Sequence, residues 1–446
     1  MALLQQVDER NLMEIGQELH QFASELYPIC RSITGDGIRE TLARIGKRIP
    51  LQISEVPSGT QVFDWTVPKE WNIRDAHIKD STGKRVVNFQ QSSLHVMNYS
   101  TPVRARMSLS ELRPHLFTLP EQPDLIPYRT SYYKPDWGFC LSHNQMLSLT
   151  DREYEVCIDS TLDDGYLTYG EFCVSGRNSE EVLISVHACH PSLANDNLSG
   201  LAVATFLAKL LIGRELRYSY RFLFIPGTIG AIAWLARNRE KANRIRHGLV
   251  LTCIGDEGGF HYKKSRRGDA EIDRAAAHVL RHCGEASEIL DFSPYGYDER
   301  QYCSPGFNLP VGCLMRSVWG TFPEYHTSAD DLNFIHPQQL AGSLRACASI
   351  LDVLEGNRKY CNQNPYCEPQ LGKRDLYRST GGQTIGAEIN ARLWVLNYSD
   401  GEHSLLDIAE RSGLPFSMIY DAAELLKQSG LLGVATGSSG AESGSR

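Results

Sequence analysis

Between residues 181 and 354 the chain alternates short apolar runs with helix-patterned stretches, and this alternation limits its fold more than any other feature. The runs are EVLISVH (181–187), SYRFLFIP (219–226), GLVLTCIG (248–255) and LPVGCLM (309–315). Helical spacing follows each one, over about 199–211, 228–238, 270–281 and 337–354. Continuous apolar strands with intervening helices predict an α/β fold, a mainly parallel sheet covered on both faces. Such sheets bind ligands outside the carboxyl ends of their strands. His190, Asp256 and His326 all lie just past an apolar run.

The flanking segments read differently. Leu12, Ile15, Leu19, Phe22 and Leu26 follow helical spacing, and Thr34 and Asp36 are candidate caps for a second helix through Leu42 and Ile45. From about Pro50 to Ser160, short alternating segments (61–67, 86–89, 103–107, 153–158) sit between turn residues, an all-β signature. Five prolines between Pro114 and Pro135 exclude long helices there. From about Arg374 the spacing is helix–turn–helix with a candidate wing at Gly430–Gly433, and the Gly/Ser-rich tail is expected to be mobile. The expected division is 1–55 (N-terminal helices of the core), 56–160 (inserted β-rich domain), 161–370 (α/β core with the site), 371–435 (winged helix) and 436–446 (tail).

Composition narrows the class. At 446 residues the chain has room for about three domains. A formal charge of −8 argues against a protein whose main work is gripping phosphate backbones. The segment Phe416–Gly430 carries Asp421, Glu424 and a single Lys427, a poor phosphate surface, so nucleic acid is not an expected partner. No run approaches a membrane span, and Asp8, Glu9 and Arg10 interrupt the N-terminal stretch where an export signal needs its apolar core. Twelve cysteines without a CxxC pair read as reduced thiols, which predicts a cytoplasmic protein.

The densest chemistry is His187-Ala-Cys-His190-Pro-Ser-Leu-Ala-Asn195-Asp196-Asn197-Leu-Ser199-Gly200. Imidazole and carboxylate are ligands zinc accepts, and His190 and Asp196 in one tight loop can reach one ion. The plain alternative is a polar strand–helix loop in which Asp196 and Asn197 cap the helix. A second cluster, Glu324-Tyr-His326-Thr-Ser-Ala-Asp330-Asp331, makes His326 a candidate ligand from a distant strand end. Asp256 is a fourth candidate, or a turn residue in GDEGG.

Together these motifs resemble the zinc aminopeptidase clan, which includes glutaminyl cyclases. Over nearly its full length the chain is similar to a bacterial family of aminopeptidase-like proteins often found near polysaccharide or natural-product biosynthesis genes. The matching stretches are 26–42, 189–200, 262–273, 291–312, 324–332 and 396–415. The resemblance implies an aminopeptidase-like core with an inserted β-rich domain and a C-terminal winged helix. It further implies one or two zinc ions on His190, Asp196, Asp256 and His326, with Asp196 bridging if there are two and His187 behind the ligands. Asp298, Glu299 and Arg300 fall in its substrate-facing loop, with Glu299 a candidate catalytic group, although Arg300 reads nearly as well as an exposed ion pair. Tyr325 is a further substrate contact. Arg266 and Arg267 read as a solvated face, and Arg31 and Ser32 are weaker site candidates. The family has a glutamate after the second strand where this chain has Gly227, in Pro-Gly-Thr-Ile-Gly. In the clan a glutamate there takes a proton from water, with Glu257, Glu299 or Glu324 as substitutes here.

Three functions are therefore expected in competition. The first is a zinc-dependent aminopeptidase-like hydrolase of peptide or amide bonds, impaired at Gly227. The second is a metal-dependent amide-forming or acyl-transfer enzyme in biosynthesis, and the third an inactive binding or regulatory protein. A small molecule or short peptide is the expected partner, no membrane is involved, and assembly of identical copies is compatible with the chain.

Overall fold

A computed structural model describes residues 11–376 and 386–435; the tail 436–446 and the N-terminal stretch through Arg10 lie outside the described residues. The chain forms two compact units, one of residues 6–273 and 285–347, the other built from 274–284 and 348 onward.

The larger unit is organised by an eight-stranded sheet. In spatial order its strands are Gln52–Pro57, Tyr166–Val174, Ser219–Ile225, Glu181–His187, Ile245–Leu251, Val311–Met315, Phe260–Lys263 and Ser287–Leu290. The four middle strands, which carry the predicted apolar runs, are mutually parallel. Antiparallel pairs flank them on both sides. Every residue of Glu181–His187 is buried, as a strand covered on both faces requires. Its one charge, Glu181, is matched by Arg221 at 2.5 and 2.7 Å, which offsets the cost of burying either alone.

The predicted helices form as Gly200–Leu211, Ile229–Arg237, Glu271–His282 and Pro337–Gly356, and the N-terminal pair as Leu12–Leu26 and Asp36–Gly46. Leu19, Phe22, Ala23 and Leu26 form the buried stripe of the first. The second starts at Gly35, without a side-chain cap. Thr34, one of the two expected caps, contacts the Tyr99 hydroxyl at 2.5 Å and accepts from Trp71 N instead.

The segment between Gln52–Pro57 and Tyr166–Val174 builds a four-stranded antiparallel sheet in the order Arg85–Asn88, Glu70–Lys79, Glu153–Asp163, Val103–Ser108. Among the described residues, helices in the proline-rich stretch are single turns.

In the smaller unit, helices Ala387–Tyr398, Leu405–Ser412 and Phe416–Gln428 accompany a three-stranded sheet of Asp400–Ser404, Lys359–Asn362 and Leu432–Val434. Ser404 and Asp407 cap the helix Leu405–Ser412 reciprocally. Gly413, at φ +70°, ends it in a left-handed turn that suits glycine. Arg274 braces the same helix through Asp407 at 2.6 Å and through Glu410. This is a winged helix–turn–helix. Among the described residues no helix is long and apolar enough to cross a membrane.

Candidate metal centre

The site forms where the parallel strands end. His187 closes the strand Glu181–His187, and the chain then turns through His190 into an irregular segment, Ala194–Ser199, before the helix Gly200–Leu211. Asp196 and Asn197 have non-helical backbone there. The loop is held by side chains rather than by helical bonds. Asp330 accepts from the amides of Asn195 at 2.5 Å and Asp196 at 3.0 Å. Asn195 reaches across to the next strand end, accepting from Gly255 N at 2.8 Å and donating to Asp256 Oδ2 at 2.6 Å. Asn197 donates to the carbonyl of Leu251 at 2.9 Å and to His187 Nδ1 at 3.3 Å.

These ties aim the Asp196 carboxylate, which is wholly buried, at a group of imidazoles. His187 Nε2 lies 2.7 Å from its Oδ1 and His326 Nε2 2.9 Å from its Oδ2. The His190 ring stands 4.9 Å from that of His187 and 5.2 Å from that of His326. Ligand atoms of His187, His190 and Asp196 all fall within 4.8 Å of one another. Burial keeps His190 neutral, well below the ordinary imidazole range, although Asp196 pulls the other way. Burial opposes charge on Asp196, but the surrounding imidazoles hold its carboxyl well below the usual carboxylate range. Imidazoles gathered around an ionised carboxylate are the donor set a divalent zinc or similar ion accepts, so the residues fit such an ion.

Further groups fix this arrangement. Arg31 is buried and donates from Nε to the His190 carbonyl at 2.9 Å, which holds the ligand loop from behind. Tyr128 sets its ring edge-on to both His190 and His326 at 5.1 Å. Tyr325 stacks on His326 at 4.0 Å. His326 itself has φ +55°, and about a third of its side chain (32 %) is exposed, whereas His187 and Asp196 are sealed. Solvent therefore reaches the group from the side of His326.

The structure thus brings His190, Asp196 and His326 together with Tyr325, and it adds His187, which the sequence reading had placed behind the ligands. Asp256 is not in the group. Ser317 Oγ at 2.6 Å and Gly258 N at 2.7 Å occupy its Oδ1, and Asn195 takes its Oδ2, so it buttresses the loop. Glu299 is likewise engaged: it pairs with Lys263 at 2.8 Å and accepts from the backbone of Tyr297 at 3.0 Å. Asp298, expected to face substrate, is fully buried with neither oxygen hydrogen-bonded, and burial pushes its carboxyl well above the usual range. Arg300 Nε is also buried without a partner.

At Gly227 the structure explains the missing side chain. A Cβ built there would lie 2.3 Å from the Tyr297 ring. That ring packs on His187 at 3.8 Å and touches Cys189 Sγ through its hydroxyl at 3.8 Å. The space a glutamate would enter is filled by tyrosine. Tyr297 directly precedes the loop residues singled out from the sequence, which assigned it no role, and Tyr128 had no signal in its proline-rich surroundings.

Residues 20–357 match the family described as Domain of unknown function (DUF4910), and residues 358–434 match a winged helix-turn-helix family. The chain belongs to the DUF4910 family. A Clostridium acetobutylicum protein carrying the provisional name polysaccharide biosynthesis protein with aminopeptidase-like domain is 53% identical over 424 residues, 95% of this chain and 98% of that protein. The crystal structure of a provisionally named peptidase from Clostridium acetobutylicum superposes with a TM-score of 0.91 at 52% identity, covering 95% of this chain and 98% of the other. A zinc aminopeptidase from Bacillus subtilis superposes with a TM-score of 0.54 at 12% identity, covering 75% of this chain and 94% of the other. That likeness shows the fold alone: the core is aminopeptidase-like, as the sequence motifs implied.

Proposed function

We propose that this protein is a zinc-dependent hydrolase of amide bonds in small molecules or short peptides. The observation that supports this most is the convergence of His187, His190 and His326 on the single buried carboxylate of Asp196. A zinc ion held by these side chains would supply Lewis-acid polarisation of a bound carbonyl. Asp196 provides the negative charge of the set, and Asp330 and Arg31 keep its loop in place. Tyr325 and Tyr128 wall the accessible side around His326 and so limit the substrate to what fits between them. Because the group His187, His190 and Asp196 contains a single carboxylate, we expect one ion rather than two. All twelve cysteines are free, which supports a reducing, cytoplasmic setting.

The Tyr297 ring beside Gly227 favours a second reading, acyl transfer to an amine. A neutral amine attacks without the general base that water needs, and loss of such a base costs about 10²–10⁴ in rate. The biosynthetic name of the Clostridium acetobutylicum relative agrees with this reading. The deciding experiment incubates zinc-loaded protein with aminoacyl amides and short peptides, with and without hydroxylamine as acceptor. Free acid released without acceptor, and lost in Asp196→Asn, supports hydrolysis. Hydroxamate without free acid supports transfer. No product in either arm leaves a binding protein.

A further inference from the structure

A cleft of about 620 Å³ lies in the larger unit, and none of the side chains lining it belongs to the metal centre. Three aromatic rings form part of its wall: Phe63 and Trp65 from the hairpin Gln61–Thr66, and Phe307 from the loop before Val311. Phe63 and Phe307 meet edge to face at 5.9 Å. Phe63 and Trp65 remain 42% and 44% exposed, a large apolar outlay for a soluble surface. Phe63 also holds φ +56°, a conformation that aromatic side chains seldom adopt.

Between the rings stand Asp64, Arg239, Asn243, Gln301 and Ser304. Among the described residues, no side chain of these five has a hydrogen-bond or ion-pair partner; the Arg239 guanidinium rests over the Phe63 ring at 5.1 Å. Their functional groups mix acceptors and donors, with amides and a hydroxyl that serve as both. The one carboxylate and the one guanidinium cancel in charge.

We propose that this cleft binds a neutral saccharide. Sugar rings present faces of polarised C–H bonds, which the electron-rich face of an aromatic ring attracts, and rims of hydroxyls that both donate and accept. Open rings beside unpaired amide, hydroxyl, carboxylate and guanidinium groups provide both halves of that recognition. A phosphate-rich ligand would call for a surplus of positive charge, which the cleft lacks. An extended peptide would need a longer free strand edge than the two-residue strands of the hairpin offer. The site stands apart from the amide-bond reading, and either can fail alone.

Calorimetric titration of the full chain with neutral trisaccharides of glucose, galactose, mannose and N-acetylglucosamine tests it. At least one is expected to bind saturably, and Trp65→Ala to weaken that binding about tenfold or more. Gly306→Trp, at a lining position where nothing lies within 4 Å of an added Cβ, puts an indole into the cleft and is expected to do the same. Unchanged melting temperatures show that the variants are folded. The proposal is overturned if no trisaccharide binds at millimolar concentration, or if binding survives both substitutions. It is equally overturned if a tripeptide panel, and not the sugars, depends on Trp65.

Discussion

His187 and His190 at the strand end and His278, on the helix Glu271–His282, are all buried, yet their surroundings differ. His187 and His326 each place a ring nitrogen within 3 Å of the same carboxylate. His278 is 2% exposed, and among the described residues neither of its ring nitrogens has a hydrogen-bond partner. Its nearest aromatic neighbour is His282, at 4.7 Å between ring centroids. Burial, and after it the charges of His282 and Arg281, lower it to about 4. Burial of a histidine therefore says little about function. Convergence of several on one ionised acceptor is what makes the strand-end group a candidate metal centre.

The comparison can be broken most severely at the shared acceptor. Asp196→Ala removes the carboxylate that His187 and His326 both meet, and the unfolding free energy in urea is expected to fall by about 3 kcal/mol or more. An unchanged midpoint would mean that the convergence holds nothing together.

A smaller effect is expected at the glycine. Gly227→Glu drives side-chain atoms into the Tyr297 ring, and overpacking of this kind costs about 1–3 kcal/mol. Adding Tyr297→Ala should recover more than half of that, a coupling that a double-mutant cycle reads directly. Additive losses would show that the two positions do not compete for space.

His278→Leu sharpens the other side of the comparison. It removes two unpaired buried nitrogens and is expected to stabilise the protein by about 1–2 kcal/mol at neutral pH. The sign with pH follows from its lowered value. The unfolded chain takes the proton near 6.5 and the folded one only near 4, so wild-type stability is full above 6.5 and declines as pH falls toward 4. Melting temperatures across that window should decline less in the variant than in the wild type.

The least effect belongs to Glu70, which the paired bonds from Arg39 at 2.8 and 2.5 Å lower to about 2. Its contribution is present above about 4.5 and lost as pH falls toward 2, and at this partly exposed site it is worth about 1 kcal/mol or less. Glu70→Gln should flatten the acid limb of the stability curve over that interval and leave neutral stability nearly unchanged.

Much of the fold was legible because apolar runs such as Val182–Val186 need cover on both faces, and no other architecture meets that need so directly. His190 and His326 were legible from their place past the strand ends, and Asp196 from the tight loop it shares with His190. The role of His187 was not, because spacing cannot say which of two histidines in one turn faces the carboxylate. Asp256 shows a related limit: a strand-end acid reads as a ligand, and only the folded chain shows Ser317, 61 residues later, hydrogen-bonded to it. Tyr297 is 70 residues from Gly227 in sequence, and only the folded chain shows one filling the space of the other.

The central claim is that these four side chains hold a metal ion. Elemental analysis of protein purified without chelator, beside Asp196→Asn prepared identically, tests it most directly. About one zinc per chain in the wild type and less than about a tenth in the variant is the result this account predicts. Equal metal in both proteins, or none in either, would contradict it.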